Sequence, residues 1–187
     1  MIVRCLALAA LACTVLASPA VARDRLHVAQ YEKDGQLAFP KDTDRWITMG
    51  ATLGGEYRDA PFDPTHPSTM GVVQMEPKAY AYFRKHGEYA DGTMLLLSFY
   101  KAEGKMNPQL SGFVEGDLQS QEIHVIDRKR FEERRAFFVF PVGQKVTAPM
   151  PKGSECVSCH RQHGAYDGTF LQFYPVLREI PFKDVTP

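Results

Sequence analysis

Three residues late in the chain, Cys156, Cys159 and His160, have the types and spacing to act together. They lie in Glu155-Cys156-Val157-Ser158-Cys159-His160, a C-x-x-C-H run. Two thiols two residues apart can add to the two vinyl groups on one edge of a porphyrin. The next residue then sits under the ring, where an imidazole nitrogen can bind the iron. C-x-x-C-H is the attachment signature of a c-type haem. The run therefore predicts one covalently bound haem c per chain, with Cys156 and Cys159 as thioethers and His160 as the proximal iron ligand.

Other uses of the same residues fit less well. A thioredoxin-like redox pair needs a βαβ context, and no parallel-sheet pattern surrounds this run. A structural zinc site needs four ligands. His163 would be the fourth, but the span from Cys156 to His163 is too cramped for a tetrahedral cage. A disulfide across two residues is strained.

Around this chemistry the chain has the make-up of one compact globular domain: 187 residues, 24% charged and 44% hydrophobic. Its first residues read as an export signal. Arg4 supplies the positive start, Cys5 to Leu16 an apolar stretch, and Ala20-Val21-Ala22 an A-x-A cleavage site. The stretch is too short and wrongly flanked for a spanning helix. Residues 1–22 are thus expected to be a signal peptide and 23–187 the folded domain, delivered to the periplasm. Cys5 and Cys13 leave with the peptide, so the two motif thiols remain and haem attachment uses both. Basic and acidic residues balance at 22 each, which leaves no electrostatic footprint for nucleic acid or an anionic membrane.

The elements that must position the motif can be read along the chain. Asp34-Gly35 predicts a turn before a short extended piece ending at Pro40. Asp42 or Thr43 can cap a short helix carrying Trp46, Ile47 and Met49, with Trp46 in the core. Thr52 to Thr69 reads as a long loop, in which Phe62 is either an anchor or a pocket lid. Gly71 to Met75 reads as a strand, and Pro77 to His86 as a helix stopped by Gly87. Thr93 to Lys101 is the most strand-like run. Leu95, Leu97 and Phe99 make one face, and Met94, Leu96, Ser98 and Tyr100 the other, so this strand is central and covered on both sides.

Beyond it, Glu103 to Pro108 reads as a loop. Leu110 to Leu118 and Glu122 to Ile126 read as two strands of a hairpin around Gln119-Ser120. Asp127 to Arg135 is charged, helical or solvated, and Ala136 to Val142 is another strand. Asp167-Gly168 breaks the motif helix, and Phe170, Phe173 and Tyr174 pack near it. A haem motif placed after several strands differs from the short all-helical cytochromes. It points to a sheet with a few helices and the haem clamped against it.

The order Phe39-Pro40-Lys41, Arg45-Trp46, Met49-Gly50, Ala60-Pro61-Phe62, Glu76-Pro77, Asp91-Gly92-Thr93, the C-x-x-C-H run and Phe173-Tyr174-Pro175-Val176-Leu177-Arg178 resembles cytochrome P-460 and its relatives, the cytochromes c′-β. The resemblance implies an α+β fold, mainly antiparallel sheet with a few helices. It also implies a homodimer and a five-coordinate iron with an open distal face. In cytochrome P-460 a lysine after the "DGT" turn is cross-linked to the porphyrin, and those proteins oxidise hydroxylamine. In the c′-β branch that link is absent, aromatic side chains line the distal pocket, and the protein binds nitric oxide. Here the lysine position falls on Leu97, Lys78 and Lys101 lie outside the inward row, and the distal arginine position falls on Gly71.

The residues of the inward row agree with the nitric oxide branch. Hydroxylamine oxidation removes protons as well as electrons and needs a distal acid–base group. Leu95, Leu97 and Phe99 offer none. An apolar pocket over the iron still takes nitric oxide and disfavours dioxygen, whose adduct gains more from a distal hydrogen-bond donor. The expectation is an exported cytochrome that binds nitric oxide or a similar small ligand, with Leu97, Phe99 and Phe62 around the distal face and a redox partner protein possible. Two alternatives stay open: an oxidoreductase acting on hydroxylamine, nitric oxide or peroxide, and an electron-transfer cytochrome with a sixth ligand from one of its methionines.

Overall fold

The structure is a computed structural model that describes residues 26, 28–55, 63, 65–107 and 110–182. The expected signal peptide and Phe62 lie outside these residues. The core is a five-stranded antiparallel sheet of β2 (Ile47–Leu53), β3 (Thr69–Met75), β4 (Thr93–Asn107), β5 (Leu110–Ile126) and β6 (Arg135–Pro141), in that spatial order. Every neighbour in space is also a neighbour in sequence, so the sheet is a meander with β4 at its centre. A two-stranded piece pairs β1 (Leu37–Ala38) with β7 (Val146–Thr147). Three helices complete an α+β fold: α1 (Pro77–His86), α2 (Glu155–His163) and α3 (Pro175–Arg178). None of the described helices is long and apolar enough to cross a membrane.

Local stereochemistry sets the ends of α1. Pro77 opens it, the Glu76 carboxylate accepts from the Ala79 N–H at 2.9 Å, and Gly87 closes it in the left-handed region at φ 66°. Arg84, Lys85 and His86 occupy its last turn, where cations are favoured.

The helix expected around Trp46 does not form. One 3-10 turn, Thr43–Arg45, ends where Trp46 becomes extended, and β2 follows. Ile47, Thr48 and Thr52 are β-branched, and pairing with β3 from Ile47–Met75 to Leu53–Met70 outweighs the helical spacing. Trp46 is in the core as expected, 7% exposed.

The loop expected from Glu103 and the hairpin expected at Gln119-Ser120 are also replaced. β4 runs on to Asn107 and β5 is one strand, paired from Thr93–Ile126 to Asn107–Leu110. Phe99 pairs with Ser120 and Tyr100 with Leu118, so Gln119 is the extra residue of a β-bulge rather than a turn. The far ends of the two strands are polar because many of their residues face solvent, and backbone pairing alone extends them.

Both faces of β4 are covered. Met94 and Leu96 pack with Leu37, Trp46, Ile123, Val125, Phe138 and Phe140 on one side. Leu95 joins Met49, Met75, Phe83, Tyr89, Tyr166, Tyr174 and Leu177 on the other. This second face carries α1 and the C-terminal segment at one end and faces α2 at the other.

Candidate functional site

The motif becomes the nine-residue helix α2. Cys156, Cys159 and His160 stand at i, i+3 and i+4, so they share one helical face. Both thiols are free and half-buried. Burial, and secondarily the Glu122 carboxylate, hold the Cys156 thiol above its ordinary pKa. Gly164 ends the helix with its N–H on the His160 carbonyl. Asp167-Gly168 then forms a separate two-residue turn, so Gly164 rather than that pair stops α2.

His160 is held by its surroundings before any cofactor is considered. Its Nδ1 lies 2.7 Å from the Gly168 carbonyl oxygen. A carbonyl only accepts, so Nδ1 carries the proton and Nε2 keeps its lone pair. Phe137 and Phe170 pack on the ring at 4.5 and 4.7 Å between centroids. Burial lowers the imidazole pKa, with the Arg135 cation adding to the effect and the Gly168 hydrogen bond opposing it. The ring is therefore biased toward the neutral form with a lone pair available, as an iron ligand requires.

His160 and Cys156 open onto a cavity of about 280 Å³ between α2, the sheet and the C-terminal segment. Three rows of the sheet line it. Leu95 pairs with His124, which pairs with Phe137. Val73, Leu97, Glu122 and Val139 follow one another across four strands. Thr52, Gly71 and Phe99 make the third row. Phe170, Phe173 and Tyr174 close the cavity from the C-terminal side. Gly50 allows this, because a Cβ there would lie 2.8 Å from the Phe173 carbonyl oxygen.

The structure thus brings Leu97 and Phe99 to the same cavity as Cys156 and His160. Cys159 lies one helical turn from Cys156, on the same face. Lys101 pairs with Thr69, beyond the lining rows, and Lys78 belongs to α1. At Gly71 a Cβ would sit 2.7 Å from Thr52 Oγ1 and 3.3 Å from Leu97 Cδ1, so the place of a distal arginine is filled by its neighbours. Met49, Met75 and Met94 are buried in the core, as expected for filler. His163 ends α2 with its carbonyl accepting from Gln172 Nε2 at 3.0 Å.

One expectation is corrected. The inward row of β4 alone holds no acid–base group, but the next strand places Glu122 beside Leu97 on the cavity wall. The pocket is mostly apolar and is not free of titratable groups. His124 is the second residue missed. It is 7% exposed, its ring centroid lies 5.5 Å from that of His160, and its Nε2 has no hydrogen-bond partner among the described residues. Burial drives its pKa well below the ordinary histidine value. Both residues follow from alternation along β5 once its pairing with β4 is known.

The residues present fit a haem. His160 offers a lone pair, the two thiols have vinyl-adding spacing, and the wall is apolar apart from a few polar groups, one of them a buried imidazole nitrogen with no hydrogen-bond partner among the described residues. Among the described residues no three of His, Cys, Asp and Glu are placed to hold a bare metal ion. Residues 40–171 match the family model described as Cytochrome P460. The matched span includes the cavity rows and α2. No curated protein matches the chain.

Proposed function

The chain belongs to the cytochrome P460 family and is a haem-binding cytochrome; from that premise we propose that it is an exported c-type cytochrome that binds nitric oxide or a similar small ligand. Cys156 and Cys159 would hold the haem covalently, one per chain, and His160 would bind its iron. Bound there, a haem would supply an iron centre able to take a small ligand. The chain's own residues orient it and set what reaches it. The observation that carries this reading is the state of His160, whose Nδ1 is engaged by Gly168 and whose Nε2 is left for iron beside an apolar wall.

Leu97 favours the branch of the family that lacks the lysine cross-link. Leucine carries no nucleophile, so no third covalent bond to the porphyrin can form from this position. The intact protein should weigh its processed polypeptide plus one haem held by two thioethers, and its ferrous spectrum should lack a red-shifted Soret band. We place the mature protein, from residue 23, in the periplasm as a homodimer, and light scattering at micromolar concentration tests the assembly. The functional test is titration of the ferrous protein with nitric oxide and dioxygen. Tight binding of the first and weak binding of the second are expected, and the reverse order would overturn the reading.

Glu122 favours a second reading, oxidation of a hydroxylamine-type substrate. Such a reaction releases protons, and a carboxylate on the cavity wall can accept them. Under this reading the wild type turns over hydroxylamine with an artificial acceptor, and Glu122→Gln slows turnover by about 10²-fold or more. No turnover by the wild type leaves ligand binding as the function.

A further inference from the structure

Outside the cavity lining, three buried charged side chains meet one another. Arg128, Asp91 and Asp167 have side chains only 10%, 3% and 5% exposed. Burying ions is costly unless they are paired and hydrogen-bonded, so their arrangement calls for an explanation. Arg128 joins three segments. Its Nη1 donates to the Tyr89 carbonyl at 2.8 Å and reaches Asp91 Oδ1 at 3.4 Å. Its backbone N–H donates to the same Asp91 oxygen at 3.0 Å. Its Nη2 donates to Asp167 Oδ2.

Asp167 is the first central residue of the turn Tyr166–Thr169. Both central residues are left-handed, Asp167 at φ 49° and Gly168 at φ 70°. Thr169 N–H donates to the Tyr166 carbonyl at 2.8 Å, and the pair forms an antiparallel bridge. This is the pattern of a tight hairpin turn, for which Asp-Gly is a preferred sequence. The turn is held from three sides. Arg128 grips the Asp167 carboxylate. Arg135 packs so closely on Gly168 that a Cβ there would lie 2.0 Å from its Nη1. The Thr169 hydroxyl meets Tyr89 Oη at 3.1 Å. The carbonyl this turn presents is that of Gly168, the acceptor for His160 Nδ1.

We propose that Arg128 and Asp167 are positioning residues for the axial histidine: by anchoring the Tyr166–Thr169 turn they fix the Gly168 carbonyl against His160 Nδ1 and so set how strongly the imidazole donates to iron. The proposal rests on His160 being the axial ligand. A firm hydrogen bond from Nδ1 makes a ligating imidazole more basic, strengthens its bond to the metal and favours the ferric state. A turn free to shift would weaken each effect. Arg128 touches neither the cavity nor the ligand, so its influence passes through the turn.

Two substitutions at Asp167 separate anchoring from folding and from charge. Asp167→Gly keeps a residue suited to the left-handed turn and removes the side chain Arg128 holds. Asp167→Asn also suits the turn, removes the charge, and keeps a hydrogen-bond acceptor for Arg128. The holoproteins are compared by the iron–histidine stretch in resonance Raman spectra of the ferrous state and by reduction potential. Asp167→Gly should lower the stretching frequency and raise the potential. Asp167→Asn should stay close to wild type. Arg128→Leu should follow Asp167→Gly where it folds, and the Asp167 pair suffices where it does not. Wild-type frequency and potential in Asp167→Gly overturn the proposal. Equal shifts in both Asp167 variants also overturn it, since the cause would then be charge rather than anchoring. A wild-type ferrous protein with no iron–histidine band fails at the earlier step, and overturns the axial role of His160 together with the proposal.

Discussion

Leu96 and Leu97 are adjacent on β4, yet Leu96 is 1% exposed and Leu97 only half-buried. Alternation along the strand sends them to opposite faces of the sheet. The Leu96 face meets Leu37, Trp46, Phe138 and Phe140 and is closed from Met94 to Ser98. The Leu97 face is closed only at one end, where Phe83, Tyr89, Tyr174 and Leu177 pack on Leu95. At the other end it forms the cavity in front of α2. One face thus spends its apolar area on stability, while the other leaves part of it for a bound group.

The two faces differ most when the cysteines are removed from the open side. Cys156→Ala with Cys159→Ala should abolish haem retained on the polypeptide in a denaturing gel, while the closed face keeps the fold. Haem extracted intact from the wild type into acidified butanone would show that the thiols are not used.

The closed face should respond in the opposite sense. Leu96→Ala empties a fully packed position and should cost about 2–5 kcal/mol, read as a lower denaturation midpoint at unchanged m-value. The optical spectrum of the protein that remains folded should not move. A cost below about 1 kcal/mol would mean that this face is not packed as tightly as its burial implies.

The two faces were not equally legible in the sequence. The alternation of Met94 to Phe99 is local, so the central strand and its inward residues Leu95, Leu97 and Phe99 could be read directly. Pro77 and Gly87 also announce α1 by stereochemistry alone. The Trp46 segment misled because apolar spacing over a few residues suits a helix as well as a strand, and its partner β3 decides between them. Gln119-Ser120 looked like a turn because a bulge uses similar polar residues. The same gap hid Glu122 and His124. A cavity wall is built across strands, and its composition follows from register, which no single strand contains. Arg161 Nη2 reaches both carboxylate oxygens of Glu133 in a surface pair that spacing alone also left unseen, and its exposure limits it to about 1 kcal/mol or less.

The smallest expected effect on stability is at Leu97, and it is the most informative about function. Leu97→Ala removes three carbons from a half-buried side chain beside an existing cavity, so little new void is created. The cost should be about 1–2 kcal/mol, below the range for Leu96. Ligand entry should change more visibly. Leu97 stands between Val73 and Glu122, with Phe99 one row away, and together these side chains form the wall an incoming diatomic must pass. Shortening Leu97, or replacing Phe99 with alanine, should speed nitric oxide binding to the ferrous protein a few-fold in stopped-flow measurements. Leu96→Ala, one residue away but on the sealed face, should leave that rate unchanged. Equal rates in all three variants would place the ligand path elsewhere in the cavity, and a faster rate in Leu96→Ala alone would reverse the roles assigned to the two faces.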